Sequence, residues 1–365
     1  MKPDLRRFGQ FLFSSIALGL ALALLLLLFF PALRQNNALV NLADSWREPS
    51  VQSFATAVQQ AAPAVTNVYT LDLRPGDGNK PTAYRGVGSG VIMTANGYIL
   101  TNHHVVADAE QVVVALQDGR TFYASLVGSD GYTDIAVLKI DAEQLPVIPQ
   151  NDHFTPSVGD LVLAIGNPFN LGQTITQGII SATGRSGMAT TRYQDFLQTD
   201  AAINSGNSGG ALINSRGEMV GLNTLAFHGL SNSDSQGLSF AIPYPLARRI
   251  MTKLIANGRV IRGYLGINGT DVRHAAAGLE RAGGVLVASV DPEGPAAQAG
   301  LARGDLITAI NGQRIDSLGH ALDLVAESAP HSTLPMRIQR QGKNLQLDIT
   351  IGELAPYSSP EMREE

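Results

Sequence analysis

From Phe8 to Leu33 the chain carries no charged residue, and from Phe11 to Phe30 nearly every position is apolar. A helix needs about 20 such residues to cross the hydrocarbon core of a bilayer. Lys2, Arg6 and Arg7 precede the run, and positive flanks are held on the cytoplasmic side. The pattern therefore predicts a transmembrane anchor over residues 1–33, amino terminus in the cytoplasm, with all that follows across the membrane. A cleaved signal peptide would have a shorter apolar stretch, about 7–15 residues, ending in a small-x-small site. Here bulky Leu24 to Phe30 runs straight into Pro31. Residues 34–52 turn polar and mixed, which reads as a tether.

After a helical signal over Ser53 to Ala62, closed by Pro63, the period changes. From Val65 to about Ala241 short β-branched runs alternate with Gly, Asn and Asp turns, as in Gly90–Met93, Tyr98–Leu100, Gln111–Val114 and Asp160–Ile165. So many short strands suit a sandwich or a pair of barrels. Gly76 to Pro81 and Gly229 to Gln236 are too polar and glycine-rich for a core and are predicted as loops near a site. Leu246, Ile250 and Leu254 then recur at helical spacing within Pro245–Asn257, with Gly258 as the stop. From Val260 to Ile351 a smaller α+β unit is predicted. Its strands are Tyr264–Asn268, Gly284–Val290 and Asp305–Ile310, with two more near Met336 and Leu347, and its helices are Ala296–Ala299 and Leu318–Ser328. Ser317 is placed to cap the second helix. Expected boundaries are 1–33 (anchor), 34–52 (tether), 53–257 (first domain with its linker helix), 258–355 (second domain) and 356–365 (a polar, disordered tail).

Composition narrows the function. The net charge is −5 with no basic run, so nothing supports nucleic-acid binding, and the absence of cysteine excludes disulfides, thiolate catalysis and cysteine-ligated zinc. It does not choose a compartment. No nucleotide loop is visible, and Asp271–His274 has no partner that would complete a ligand set, so neither cofactor nor metal is expected.

Three stretches carry the chemistry: Thr101-Asn102-His103-His104-Val105, Thr133-Asp134-Ile135-Ala136-Val137 and Gly206-Asn207-Ser208-Gly209-Gly210. They supply a base, an acid to orient it and a nucleophile, in the order His, Asp, Ser. A serine hydroxyl attacks only when an imidazole removes its proton and a buried carboxylate holds that imidazole's tautomer. The glycines allow a tight loop, Gly206, Asn207 and Ser208, whose amides can face a developing oxyanion. Gly206-x-Ser208-x-Gly210 also fits the elbow of α/β-hydrolases, which needs a strand before the serine, a helix after it, and partners downstream. Here a hairpin signal follows, Ala211–Ile213 and Met219–Leu222 about the turn Asn214–Gly217, and the partners lie upstream. Asp118 and Asp130 sit in turns, where Asp bonds locally. Asp134 opens an apolar strand, where a carboxylate needs a partner. The primary pocket of a chymotrypsin-like protease has its base about six residues before the serine. That region is Ala202 and Ile203, with Leu225 and Ala226 as opposite walls, which predicts cleavage after small or branched apolar residues.

These motifs, followed by Gly263-Tyr264-Leu265-Gly266-Ile267, resemble the HtrA (Deg) serine proteases over roughly residues 50–355, and the anchor with a single carboxy-terminal unit is closest to the membrane-anchored branch. The resemblance implies a mostly β fold, with a chymotrypsin-like double β-barrel protease domain and one PDZ-like α+β domain behind a transmembrane helix. Of the adjacent His103 and His104 it assigns the base to His104, beside Val105. It implies that Gly263–Ile267 aims amides at a peptide carboxylate, with the helix from Leu318 as second wall. It also implies that Arg185, in the loop Thr183–Gly187, senses the PDZ state, and that Phe169 and Phe227 pack between subunits of a homotrimer. The implied role is a periplasm-facing, inner-membrane endopeptidase switched on by carboxy-terminal peptides of misfolded outer-membrane proteins, making the first cut in a membrane-spanning anti-sigma factor. The competing readings are a general periplasmic quality-control protease or chaperone, and an inactive peptide-binding scaffold.

Overall fold

The computed structural model describes residues 5–29, 53–72, 83–107, 109–167, 172–185, 196–224, 238–272 and 283–357. Met1–Ser53 form one compact unit and Phe54–Glu365 another. In the first, Leu5–Phe29 is a helix of 25 residues. Its side chains are described over 9–25 and are exposed there. Among the described residues no helix is long and apolar enough to cross a membrane.

In the second unit a short helix, Ala55–Ala61, leads into the first of two closed six-stranded barrels. That barrel comprises β1 (Val65–Asp72), β2 (Ala83–Ile92), β3 (Tyr98–Thr101), β4 (Gln111–Ala115), β5 (Thr121–Asp130) and β6 (Ile135–Lys139), in the order β1-β2-β3-β6-β5-β4. The second comprises β7 (Leu161–Gly166), β8 (Thr174–Arg185), β9 (Phe196–Thr199), β10 (Ala211–Asn214), β11 (Met219–Thr224) and β12 (Ser239–Pro243), in the order β10-β11-β12-β9-β8-β7. Of the two architectures left open by the strand pattern, the chain forms barrels, and closure removes the exposed edges of the sheets. Ile92, Ile99, Leu100, Ile135 and Leu138 of the first barrel share one buried cluster with Ile165, Phe196, Ile213 and Leu222 of the second. The seam between the barrels is thus packed core.

The helix Tyr244–Asn257 buries Ala247, Ile250, Met251 and Leu254, and ends where Gly258 turns left-handed (φ 72°) and donates its N–H to Leu254 O. The smaller unit follows. Gly263–Tyr264 (β13) pairs with Gly352–Glu353 (β20). The larger sheet runs β14 (Ile267–Asp271), β15 (Val285–Val290), β16 (Leu306–Ile310), β18 (Thr333–Arg340) and β19 (Lys343–Thr350), with β17 (Gln313–Arg314) paired to β16. Its helices are Pro295–Gln298 and Leu318–Ala326, the latter capped by Ser317, whose hydroxyl accepts from His320 N.

Two local expectations change. Tyr264–Asn268, expected as one strand, is broken at Gly266 (φ 78°) into β13 and β14. Thr183 to Arg185, expected in a loop, ends β8; Gly184 (φ 67°) lies within its final irregularity, and Arg185 is opposite Phe196. The rest of that expected loop, like the expected loops at 76–81 and 229–236, lies outside the described residues.

Candidate active site

β3 delivers Thr101 to the rim, and the one-turn helix His103–Val106 begins there. The turn from β5 to β6 brings Asp134 opposite. Asp134 is left-handed (φ 55°), a conformation that Asp tolerates better than most residues. The turn is fastened on both sides, since Asn102 Nδ2 and His103 N both donate to Asp134 O, at 2.9 and 3.1 Å.

The carboxylate is buried and fully engaged. Its Oδ1 and Oδ2 lie 2.9 and 2.8 Å from His104 Nδ1, Oδ1 accepts from His104 N at 3.0 Å, and Oδ2 accepts from the Thr224 hydroxyl at 2.9 Å. A carboxylate so placed holds the Nδ1 proton and leaves Nε2 to act as base. His104, not His103, faces the acid; His103 Nδ1 lies 3.1 Å from Ser129 Oγ.

Ser208 comes from the loop before β10. Its main chain is clamped to the first barrel by Ser89, whose N–H donates to Ser208 O at 2.8 Å and whose hydroxyl donates to Gly206 O at 2.7 Å. Thr101 Oγ1 in turn donates to Ser89 O at 2.7 Å. Gly209 is left-handed (φ 82°), and a Cβ there would lie 2.1 Å from Ser89 O; only glycine fits. Ser89 was not singled out from sequence. The available signal was a lone serine between Gly88 and Gly90.

The base and acid are joined, but the nucleophile is not. Ser208 Oγ is buried and has no hydrogen-bond partner among the described residues, and neither does the buried side chain of Asn207. Of the expected oxyanion residues, Asn207 does not qualify, because its N–H donates to Asn204 O at 2.9 Å; the amides of Gly206 and Ser208 donate to no described backbone carbonyl, which leaves them available to an oxyanion. An oriented imidazole, a serine hydroxyl and uncommitted amides are the groups that acyl transfer requires. Catalytic hydrogen bonds are often loose before substrate binds.

The other expected residues divide. Ala202 is exposed and its carbonyl accepts from Thr176 Oγ1; Ile203 packs in the second barrel's core with Leu212, Val220 and Ala241. Leu225, Ala226, Phe169 and Phe227 lie outside the described residues, as does the side chain of Arg185. In the smaller unit, Leu265 O accepts from Ala296 N and Gly266 O from Asp291 N, while the Tyr264 hydroxyl donates to Asp291 at 2.9 Å. The Leu265 and Gly266 amides make no hydrogen bond among the described residues. β14, the edge of its sheet, lies beside the helix Leu318–Ala326, with Leu318 N donating to Asp271 Oδ1. That is the geometry an extended peptide with a free carboxylate can enter.

A second feature escaped sequence reading. Asp130, expected to bond locally, accepts from Thr133 N and Oγ1, and also accepts from Nη1 and Nη2 of Arg262 at 2.7 and 2.6 Å. Both members are buried, and the pair ties the turn before Asp134 to the segment entering the smaller unit. Among the described residues no cluster of His, Cys, Asp or Glu could hold a metal.

A trypsin-like peptidase family model matches residues 88–222, and a PDZ domain model matches 286–340, starting downstream of Gly263–Ile267. Serine endoprotease DegS of Escherichia coli strain K12 is 50% identical over 347 residues, covering 94% of this chain and 98% of that protein. DegS of Haemophilus influenzae is 45% identical over 345 residues, with the same coverage. The solved serine endoprotease from Yersinia pestis aligns with a TM-score of 0.69 at 51% identity, over 85% of this chain and all of that one. The HtrA-type protease AlgW with a tripeptide aligns with a TM-score of 0.74 at 43% identity, over 84% and 98%.

Proposed function

The chain belongs to the DegS serine endoproteases, and from that membership we propose that it is a peptide-activated endopeptidase of the periplasm that makes the first cut in an envelope stress response. One observation carries the reading: a buried carboxylate grips His104 at Nδ1, while the Ser208 hydroxyl has no partner among the described residues. In the aligned state His104 Nε2 takes the proton from Ser208 Oγ as the oxygen attacks the scissile carbonyl. The amides of Gly206 and Ser208 receive the oxyanion, and His104 returns the proton to the leaving amine; water then repeats the sequence on the acyl-enzyme.

The groove between β14 and the helix Leu318–Ala326 receives carboxy-terminal peptides, with the Leu265 and Gly266 amides on the carboxylate. The solved AlgW relatives with a tripeptide and a decapeptide support this. The ligands proposed are the exposed ends of misfolded outer-membrane proteins, and the substrate is a membrane-spanning anti-sigma factor. The apolar run from Phe8 to Leu33, within residues 1–33, anchors the chain in the inner membrane, with the remainder periplasmic, and the working form is a homotrimer. Cleavage follows small or branched apolar residues held near Ala202 and Ile203, with Leu225 and Ala226 opposite. Arg185 relays the peptide signal.

Ser208→Ala tests the assignment, because it removes one hydroxyl and nothing else. Purified Ser208→Ala should bind a carboxy-terminal peptide with the parent's affinity and cleave nothing. Retained proteolysis would remove the nucleophile from the account, and a parent that binds peptide yet never cleaves would leave a peptide-binding scaffold.

A further inference from the structure

Gly131 needs no glycine for its backbone, because its φ is not positive. What it needs is the space. A Cβ there would lie 2.1 Å from Cδ1 and 2.5 Å from Cγ of Tyr357, a residue from the far end of the chain. The Tyr357 ring also meets the Tyr132 ring edge-on at 5.4 Å and the His103 ring edge-on at 5.9 Å. The approach to this seat is pinned twice: Leu354 N donates to Arg262 O at 2.9 Å, and the Tyr132 hydroxyl donates to Ala355 O at 3.1 Å. Beneath the segment is a cavity of about 150 Å³ bordered by His103, Ser129, Asp130 and Arg262. The residues gripped are neighbours of the reacting groups in sequence: His103 precedes the base, and Gly131 and Tyr132 lead through Thr133 into Asp134.

We propose that Leu354–Tyr357 is a strap and that Tyr357 is a positioning residue for the acid–base pair. Resting on the proposed protease reading, it deepens that reading by adding a third wall to the turn that holds Asp134 in its left-handed conformation. Asn102 and His103 fix the carbonyl side of that turn, and Arg262 fixes Asp130. Tyr357 covers the outer side, where Gly131 presents bare backbone. The contact is made by the ring's faces and edges; the Tyr357 hydroxyl takes part in none of the interactions described. Because the His104–Asp134 half of the site is already assembled under the strap, loosening the strap should lower turnover and not release it. Misplacing a catalytic group by about 1 Å can cost up to about 10²-fold.

The test uses the full chain, with Tyr357→Ala, Tyr357→Phe, Gly131→Ala and two truncations, one ending at Tyr357 and one at Ala355. Two quantities are measured: peptide-stimulated kcat and KM on an unlinked substrate, and amide hydrogen exchange over residues 129–135. Tyr357→Ala, Gly131→Ala and the Ala355 truncation should lower kcat by about tenfold or more, leave KM within about twofold, and speed exchange over 130–134. Tyr357→Phe and the Tyr357 truncation should match the parent in both. Unchanged exchange in Tyr357→Ala and Gly131→Ala overturns the strap whatever activity does, as does a Tyr357→Phe variant that behaves like Tyr357→Ala. A parent that cleaves nothing defeats the protease reading alone, since the exchange measurement still decides the strap.

Discussion

Asp134 shows how far a single residue can be read and where reading stops. Its place at the head of an apolar strand demanded a partner, and His104 is that partner, doubly engaged at 2.8 and 2.9 Å. That place alone does not reveal the left-handed backbone, since it depends on Asn102 and His103 arriving from 32 and 31 residues upstream to bind its carbonyl. Ser89, Arg262 and Tyr357 escaped for a similar reason. Each looks ordinary beside its chain neighbours and acquires its role from a loop more than a hundred residues away. Replacing Asp134 by Asn keeps the shape but offers an amide N–H where the Nδ1 proton must be accepted, which favours the wrong imidazole tautomer. Asp134→Asn should therefore lower kcat by roughly 10⁴-fold while the folded state survives, checked by single-turnover kinetics beside a melting curve.

Elements whose determinants are local were legible. Ser317 caps the helix it precedes, Gly258 ends the one it follows, and Tyr98–Leu100, Gln111–Val114 and Asp160–Ile165 are strands within a residue, whereas Gly90–Met93 is only the end of a strand that starts at Ala83. Barrel closure was not legible, because alternation specifies a buried face but not which edges meet. In the smaller unit, Asp305 shows how one element is locked to another. Burial pushes its carboxyl up, but the hydrogen bonds from Arg340 and from the Ala302 amide outweigh it and hold the carboxyl below its ordinary value. An acid whose folded pKa is depressed stabilises above its unfolded value, about 3.9 for Asp, and that contribution fades as pH falls through the folded one. Urea unfolding of the full chain should show stability falling as pH drops below about 4, and Asp305→Asn should be less stable at pH 7 yet lose less on acidification. Parallel curves for the two proteins would mean that Asp305 is not the linked group.

At the scale of the whole molecule, the residues proposed as catalytic are held in two different ways. Asp134 and His104 are locked together on the first barrel, while Ser208 on the second is anchored through its backbone and its hydroxyl has no partner among the described residues. The buried Asp130–Arg262 pair joins the turn that precedes Asp134 to the segment entering the smaller unit, a contact through which the proposed peptide site would act. A peptide can shift that balance only by binding the aligned state more tightly than the resting one. Couplings of this kind are commonly worth about 5–150-fold. The most direct measurement is the rate at which a fluorophosphonate acylates the full-length protein, alone and with a peptide ending in a free apolar carboxylate or its amide. Acylation should fall on Ser208 and accelerate by about tenfold or more with the free carboxylate but not the amide. Equal rates in all three conditions, or modification at another residue, would contradict a serine protease switched by its peptide.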